Sequence, residues 1–206
     1  PGDIGCEETF VEPPQYLVVK DATVRKVVTS EPQNIDIGPF LEAAKSATGD
    51  ILTTSCGFLA PFQKEIQESL DIPVVVSSIS QLSEIEKIYS PEQLVILTIA
   101  ADKLCAKHLP EEFRKYSECI CGLGKSSYLH KVIYGDMMIF DEEKVADELL
   151  TVFKEACNDN TDALLLECTN MPPYKQDLKQ FKPVKIFDIL SAIEALLPNT
   201  VKPTYL

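Results

Sequence analysis

The chain has 206 residues, 45% of them hydrophobic and 25% charged, the proportions of a globular protein large enough for one large or two small domains with real cores. Its 32 acidic residues outnumber the 19 basic ones, and the resulting net charge of -13 repels phosphate backbones and anionic lipid, which argues against nucleic acid and membrane surfaces as partners. No apolar stretch approaches the roughly 20 residues that cross a bilayer, and Pro1-Gly2-Asp3-Ile4-Gly5 lacks the basic start and apolar middle of a secretory signal, so none is expected.

In chain order, 15–20 reads as a short strand, and 37–48 as a helix with Phe40, Leu41, Ala44 and Ala47 on one face, closed by Gly49. Between them 31–39 is polar and proline-bounded, a surface loop or a flap. A strand at 51–54, a helix at 61–70 opening on a proline, and a strand at 73–76 follow. A helix over 80–89 is cut by Ser90-Pro91, where the hinge between two halves is expected. The run 94–99 is a buried strand, followed by a helix from about 101 and a short strand at 119–121. The spacing of Val145, Leu149, Val152, Phe153 and Ala156 predicts a helix over 142–157, with Asp141 as its cap. A strand ending at the second cysteine motif, a helix at 174–181, a strand at 184–187 and a helix at 189–197 complete the chain. Alternating strands and helices imply an α/β fold with parallel sheets.

Seven cysteines in a chain without dense turns point to a reducing compartment, and a cytoplasmic location is expected. No CxxC pair is present, and His108 and His130, expected at the surface, complete no metal-ligand spacing. Cys105, Cys119, Cys121 and Cys157 read as small apolar fillers, and Cys6 as an exposed passive thiol. No glycine-rich phosphate loop appears. No metal, nucleotide or other cofactor is expected.

The remaining two cysteines sit in a repeat. Ile51-Leu52-Thr53-Thr54-Ser55-Cys56-Gly57-Phe58-Leu59-Ala60-Pro61-Phe62 and Ala163-Leu164-Leu165-Leu166-Glu167-Cys168-Thr169-Asn170-Met171-Pro172-Pro173-Tyr174 share an apolar run, a cysteine, a small polar corner, then proline and an aromatic. Each is followed by a segment opening on Pro-Val, at Pro73 and Pro183. A buried parallel strand that stops at such a corner places the cysteine at the carboxyl end of the sheet, where open α/β sheets bind ligands. Two units related by a pseudo-twofold set two thiols across one cleft, an arrangement suited to moving a proton from one face of a carbon to the other. Removing a proton beside a carboxylate creates extra negative charge that needs donors already in place. Thr54, Ser55 and the N–H of Gly57 on one side, Thr169 and Asn170 on the other, are the candidates. The same small polar residues also serve as helix caps. Glu167, one residue before Cys168, should point away from it by strand alternation and play a structural part.

Together with Pro1-Gly2-Asp3-Ile4-Gly5 and Glu8-Thr9-Phe10, these motifs resemble the aspartate/glutamate/hydantoin racemase family. Thr53-Thr54-Ser55-Cys56-Gly57-Phe58 is similar to that family's first catalytic motif and Glu167-Cys168-Thr169-Asn170 to its second, in which Cys-Thr is followed by His or Asn in different branches. The resemblance spans the chain from its opening loop to Asp188. It implies two pseudo-symmetric Rossmann-like lobes, 1–90 with Cys56 and 91–188 with Cys168, with 189–206 packing back on the first lobe. It implies Cys56 and Cys168 as the catalytic pair and Asp3 as a residue of the loop lining the site. It also implies a cofactor-independent racemase acting on an acidic amino acid, aspartate or glutamate, with a homodimer as the expected assembly. Hydantoin racemisation, maleate-type cis-trans isomerisation and malonate-type decarboxylation occur in the same family. Two readings of another class stand beside these: a non-catalytic binder of a small carboxylated molecule, and a thiol redox sensor. Asn170 can donate a hydrogen bond but cannot shuttle a proton as histidine does.

Overall fold

The computed structural model describes residues 1–206. The regular elements are α1 (Val24–Val27), α2 (Gly38–Ala44), β1 (Leu52–Thr53), α3 (Gln63–Glu68), β2 (Val74–Val75), α4 (Leu82–Ile85), β3 (Leu94–Thr98), β4 (Ile120–Gly122), α5 (Tyr128–Tyr134), α6 (Glu142–Ala156), β5 (Ala163–Leu166), α7 (Lys175–Phe181), β6 (Lys185–Phe187) and α8 (Ile189–Leu196), joined by short 3-10 turns. Every strand pairing is parallel. β1 pairs with β2, Leu52 opposite Val74, and a second sheet runs in the order β4-β3-β5-β6, with Leu97 opposite Leu166 and Leu164 opposite Ile186. All residues of β3 and β5 are buried, because a central parallel strand is covered on both faces and is therefore built as an unbroken apolar run. The cysteine-bearing repeat is visible in the pairing: β1 lies beside β2 as β5 lies beside β6.

The helix expected over 142–157 is α6. Asp141 caps it, its carboxylate accepting the Lys144 N–H at 3.1 Å, and Val145, Leu149 and Phe153 are fully buried against the sheet. α8 packs its Ile189, Leu190, Ala192 and Ile193 against Val75 of β2, with Ile4, Phe10 and Val201 closing the same cluster. A single antiparallel bridge, Phe10 to Val201, ties the opening loop to the chain's last residues.

Asp188 holds α8, α7 and the turn before α4 together. One carboxylate oxygen accepts the Ser191 N–H at 2.8 Å as the α8 cap, the other pairs with Lys175 Nζ of α7 at 2.8 Å, and its carbonyl accepts from Gln81 at 2.8 Å.

Several expectations are corrected. Residues 15–20 form no strand: Pro13 and Pro14 precede them, no neighbouring strand takes their backbone groups, and Val18 is 90% exposed. No α-helix starts near 101. Leu109-Pro110 interrupts the segment, which folds as two 3-10 turns, Ala106–His108 and Glu111–Cys119. The helix α5 was not expected. Its signal was Ser127, whose hydroxyl accepts the His130 N–H at 3.2 Å, followed by Leu129 and Val132 at helical spacing. Both histidines are buried, not superficial. His108 meets Phe58 edge to face at 5.0 Å, and His130 stacks on Tyr134 at 3.9 Å. Cys6 is half-buried and not exposed.

Candidate functional site

β1 ends at Thr53 and β5 at Leu166, and beyond each the chain leaves the carboxyl end of its sheet, presents a cysteine and turns through a 3-10 segment, Gly57–Phe62 or Pro172–Tyr174, into α3 or α7. The two corners touch. Thr169 Oγ1, beside Cys168, donates to the carbonyl of Ser55, beside Cys56, at 2.8 Å. Ser78 Oγ, in the turn after β2, donates to the carbonyl of Leu166 at 2.8 Å, a second strut between the sheets. Cys56 and Cys168 line one cavity of about 1660 Å³, together with Asp3, Thr54, Ser55, Gly57, Thr169 and Asn170, so every residue singled out in the sequence borders the same space. The backbone N–H two residues on favours the ionised form of each thiol, Phe58 for Cys56 and Asn170 for Cys168. All seven cysteines are free, and no group of three or more His, Cys, Asp or Glu is arranged to hold a metal ion.

The polar residues differ in what they leave available. Thr54 Oγ1 donates to the Val76 carbonyl at 2.8 Å and Thr169 Oγ1 to that of Ser55, so both hydroxyl protons are engaged in bracing the corners. Ser55 is exposed to the cavity. Neither corner uses a side-chain cap: the 3-10 turn after Cys56 and α7 both begin without one. Asn170 Nδ2 donates to Asp3 Oδ2 at 2.8 Å, which turns its Oδ1 towards Cys168, whose Sγ donates to it at 3.8 Å. The chain Cys168–Asn170–Asp3 therefore favours the thiol form of Cys168, since an amide oxygen accepts a proton's bond and cannot stabilise a thiolate. Cys56 has no such acceptor.

Electrostatics set the two thiols apart from ordinary ones. Burial, then the Glu167 carboxylate, pushes the Cys56 thiol up to about 12, opposed by the Phe58 N–H. Cys168 is 7% exposed and is raised well above the ordinary thiol value by burial, by Glu167, and more weakly by Cys56 and Asp3. Both are thiols at neutral pH.

Glu167, expected to play a structural part, also borders the cavity. It is 1% exposed, receives a 2.6 Å hydrogen bond from Thr98 Oγ1 on Oε2, and leaves Oε1 without a partner against Gly57. The available signal was a lone carboxylate at the end of an apolar run. Burial raises it from an ordinary 4.5 to about 7, with the Thr98 hydroxyl opposing. In the native state it therefore keeps its proton at pH values where the unfolded chain has lost it, and stability falls as pH rises from about 4.5 through 7. The whole loss expected from this residue is about 3 kcal/mol, part of it already gone at pH 5, and the difference between urea unfolding at pH 5 and pH 8 should shrink by about 2.5 kcal/mol in Glu167→Gln.

Gly57 is required by the same contact. A Cβ there would come within 2.5 Å of the Glu167 carbonyl and press on its carboxylate. Gly57→Ala is expected to cost about 1–3 kcal/mol in denaturant unfolding and to displace Cys56.

No known protein-family model matches the chain. A dimethylsulfoniopropionate lyase of Durusdinium sp. clade D is 25% identical over 216 aligned residues, covering 98% of this chain and 70% of that protein. Dimethylsulfoniopropionate lyase 7 of Emiliania huxleyi is 26% identical, covering 95% of this chain and 62% of its own length. The chain thus spans about two thirds of these longer proteins. Among solved structures, allantoin racemase from Pseudomonas fluorescens superposes over 94% of this chain and 81% of its own with a TM-score of 0.56, at 12% identity. The protein therefore carries the α/β fold of that racemase and is similar in sequence to dimethylsulfoniopropionate lyases.

Proposed function

We propose that the protein is an enzyme that removes the proton next to the carboxylate of a small substrate carrying a positive charge, and that the reaction is an elimination of the kind named by its sequence relatives. The observation that carries this reading is the make-up of the cavity. No Lys, Arg or His side chain lines it, whereas Asp3, Glu12, Asp136, Glu142 and Asp177 do. An acidic amino acid would bring a second carboxylate into a space with no basic side chain to meet it, while a sulfonium or ammonium group finds complementary charge.

The same charge accounts for the base. A thiol raised by burial and by Glu167 is a poor base when the cavity is empty, and a cation bound beside it favours the thiolate. The substrate thus helps ionise the residue that attacks it. With dimethylsulfoniopropionate, the Cys56 thiolate takes the proton from the carbon beside the carboxylate. The electron pair of that C–H bond becomes the new C=C bond, and the C–S bond electrons leave with sulfur. The products are acrylate, neutral dimethyl sulfide and a Cys56 thiol. Cys168, held as a thiol by Asn170, is then not a second base, and its S–H stays engaged with the Asn170 amide oxygen.

Racemisation is the second reading. It is favoured by the fold shared with allantoin racemase and by the matched N–H groups on the two sulfurs. It begins with the same proton removal but needs the two cysteines to exchange roles, and the Cys168–Asn170–Asp3 chain is present on one side only.

Headspace chromatography of the protein with dimethylsulfoniopropionate tests the reading. Dimethyl sulfide is expected from it, with no methanethiol from 3-(methylthio)propionate, which lacks the sulfonium charge, and L-aspartate should leave the melting temperature unchanged. A protein stabilised by L-aspartate and inert towards the sulfonium would refute it.

A further inference from the structure

The candidate base needs somewhere to send its own proton, because Cys56 rests as a thiol. Water is one route, and the structure offers a closer one. Glu167 borders the same cavity as both cysteines and its charge acts on both thiols; it is 1% exposed, with a single donor, Thr98, on one oxygen and nothing on the other. The unpartnered Oε1 lies against Gly57, the residue after Cys56, so closely that no side chain fits at that position. A buried carboxylate oxygen without a donor is costly unless it carries a proton for part of the time. The titratable groups around it are Cys56 from the corner after β1, Cys168 from its own strand end, Asp3 from the opening loop, which acts on Cys168, and Tyr134 of α5, which feels the Cys56 charge. Thr98 of β3 does not titrate. No basic side chain competes for the proton in this group.

We propose that Glu167 is the proton acceptor for Cys56: as substrate enters, the Cys56 S–H proton passes to the Glu167 carboxylate, leaving a thiolate against the substrate and a neutral carboxyl beneath it. The bond broken is S–H, the bond formed is O–H, and the total charge of the pair is unchanged. The transfer also removes the negative charge that opposed the thiolate. When the reaction returns a proton to Cys56, the carboxyl releases its own to solvent and the site is reset. Glu167 touches no substrate in this scheme and acts through Cys56 as a positioning residue for a proton. The inference rests on Cys56 being the base in the proposed function.

The test uses Glu167→Gln and Glu167→Asp in the full chain, with two readouts. In the first, iodoacetamide labelling of Cys56 is followed against pH by peptide mass spectrometry. Glu167→Gln removes a like charge, so Cys56 should ionise at lower pH and label about tenfold faster at pH 8, the effect of roughly one pKa unit. In the second, kcat/KM for dimethyl sulfide release is followed against pH. The parent should show a limb rising through about pH 7, where Glu167 loses its proton. Glu167→Gln should lose that limb and fall by about 10²-fold, while Glu167→Asp keeps the limb at reduced rate. A more reactive thiol with lower turnover is the signature of a lost proton acceptor, since a purely structural role would move both the same way. Unchanged labelling in Glu167→Gln, or turnover with the limb intact, overturns the proposal. If the parent releases no dimethyl sulfide, the functional reading fails and this inference falls with it, whereas release with the limb intact in Glu167→Gln overturns this one alone.

Discussion

Cys56→Ser is expected to lower kcat/KM for the elimination by about 10²–10⁴-fold, the range spanned by removal of a positioned general base. The serine hydroxyl is of similar shape and would keep the Phe58 N–H contact on the same corner, so folding should be unaffected. It cannot ionise within reach of neutral pH, even with a cation bound beside it. Cys168→Ser separates the two chemistries. In an elimination the second sulfur moves no proton and only bonds to the Asn170 amide oxygen, which a serine hydroxyl also does, and the loss should stay within about tenfold. In a racemase both sulfurs move protons, and the two substitutions should be equally damaging. Measuring both variants on the same substrate, with circular dichroism to confirm the fold, therefore decides which role Cys168 has. The asymmetry that leads to this expectation is the Asn170 amide, fixed by Asp3 so that its oxygen faces Cys168.

Lys175→Met should destabilise the protein by about 3–5 kcal/mol, because it strands the Asp188 charge in the interior. The pair is nearly sealed, with 7% of the lysine and 1% of the aspartate side chain exposed, and Lys175 Nζ also donates to the Tyr205 carbonyl near the chain's end. Asp188→Asn should cost a similar amount by stranding the ammonium, although asparagine can still cap α8 through the Ser191 N–H. The double variant, with neither charge left, should cost clearly less than the sum of the two. In a chain of 206 residues the single changes correspond to a fall in Tm of roughly 10 °C, readable by scanning calorimetry. The Glu167 pH slope and the Gly57→Ala cost are the smaller companions of these effects.

Much of this arrangement is legible in the chain. Unbroken apolar runs at Leu94–Thr98 and Ala163–Leu166 mark strands covered on both faces, and the 3.6-residue spacing of Val145, Leu149 and Phe153 marks the longest helix. The repeated cysteine corner marks the end of two strands, and both corners meet at one cavity. What failed did so for local reasons. Strand alternation says nothing of what covers Glu167: its N–H still donates to the Leu97 carbonyl at 2.9 Å, and it borders the cavity because Gly57 of the other corner lies against its carboxylate. Residues 15–20 have the composition of a strand and no partner, and pairing, not composition, makes a strand. A single histidine carries no periodicity, so the burial of His108 and His130 depends on contacts with Phe58 and Tyr134 that are distant in sequence or lie on an unrecognised helix. The lack of basic side chains around the cavity is a property of many short segments brought together, and no one of them announces it.

The central claim is that a thiol in a cavity free of basic side chains takes a proton from a small carboxylate that also carries a cationic group. Proton NMR of the purified protein with dimethylsulfoniopropionate in deuterated water tests it most directly, with L-aspartate and L-glutamate as parallel samples. The account predicts growing acrylate vinyl and dimethyl sulfide methyl signals, their loss in Cys56→Ser, and intact α-hydrogen signals in both amino acids. Disappearance of an amino-acid α-hydrogen while the sulfonium stays unchanged would contradict it.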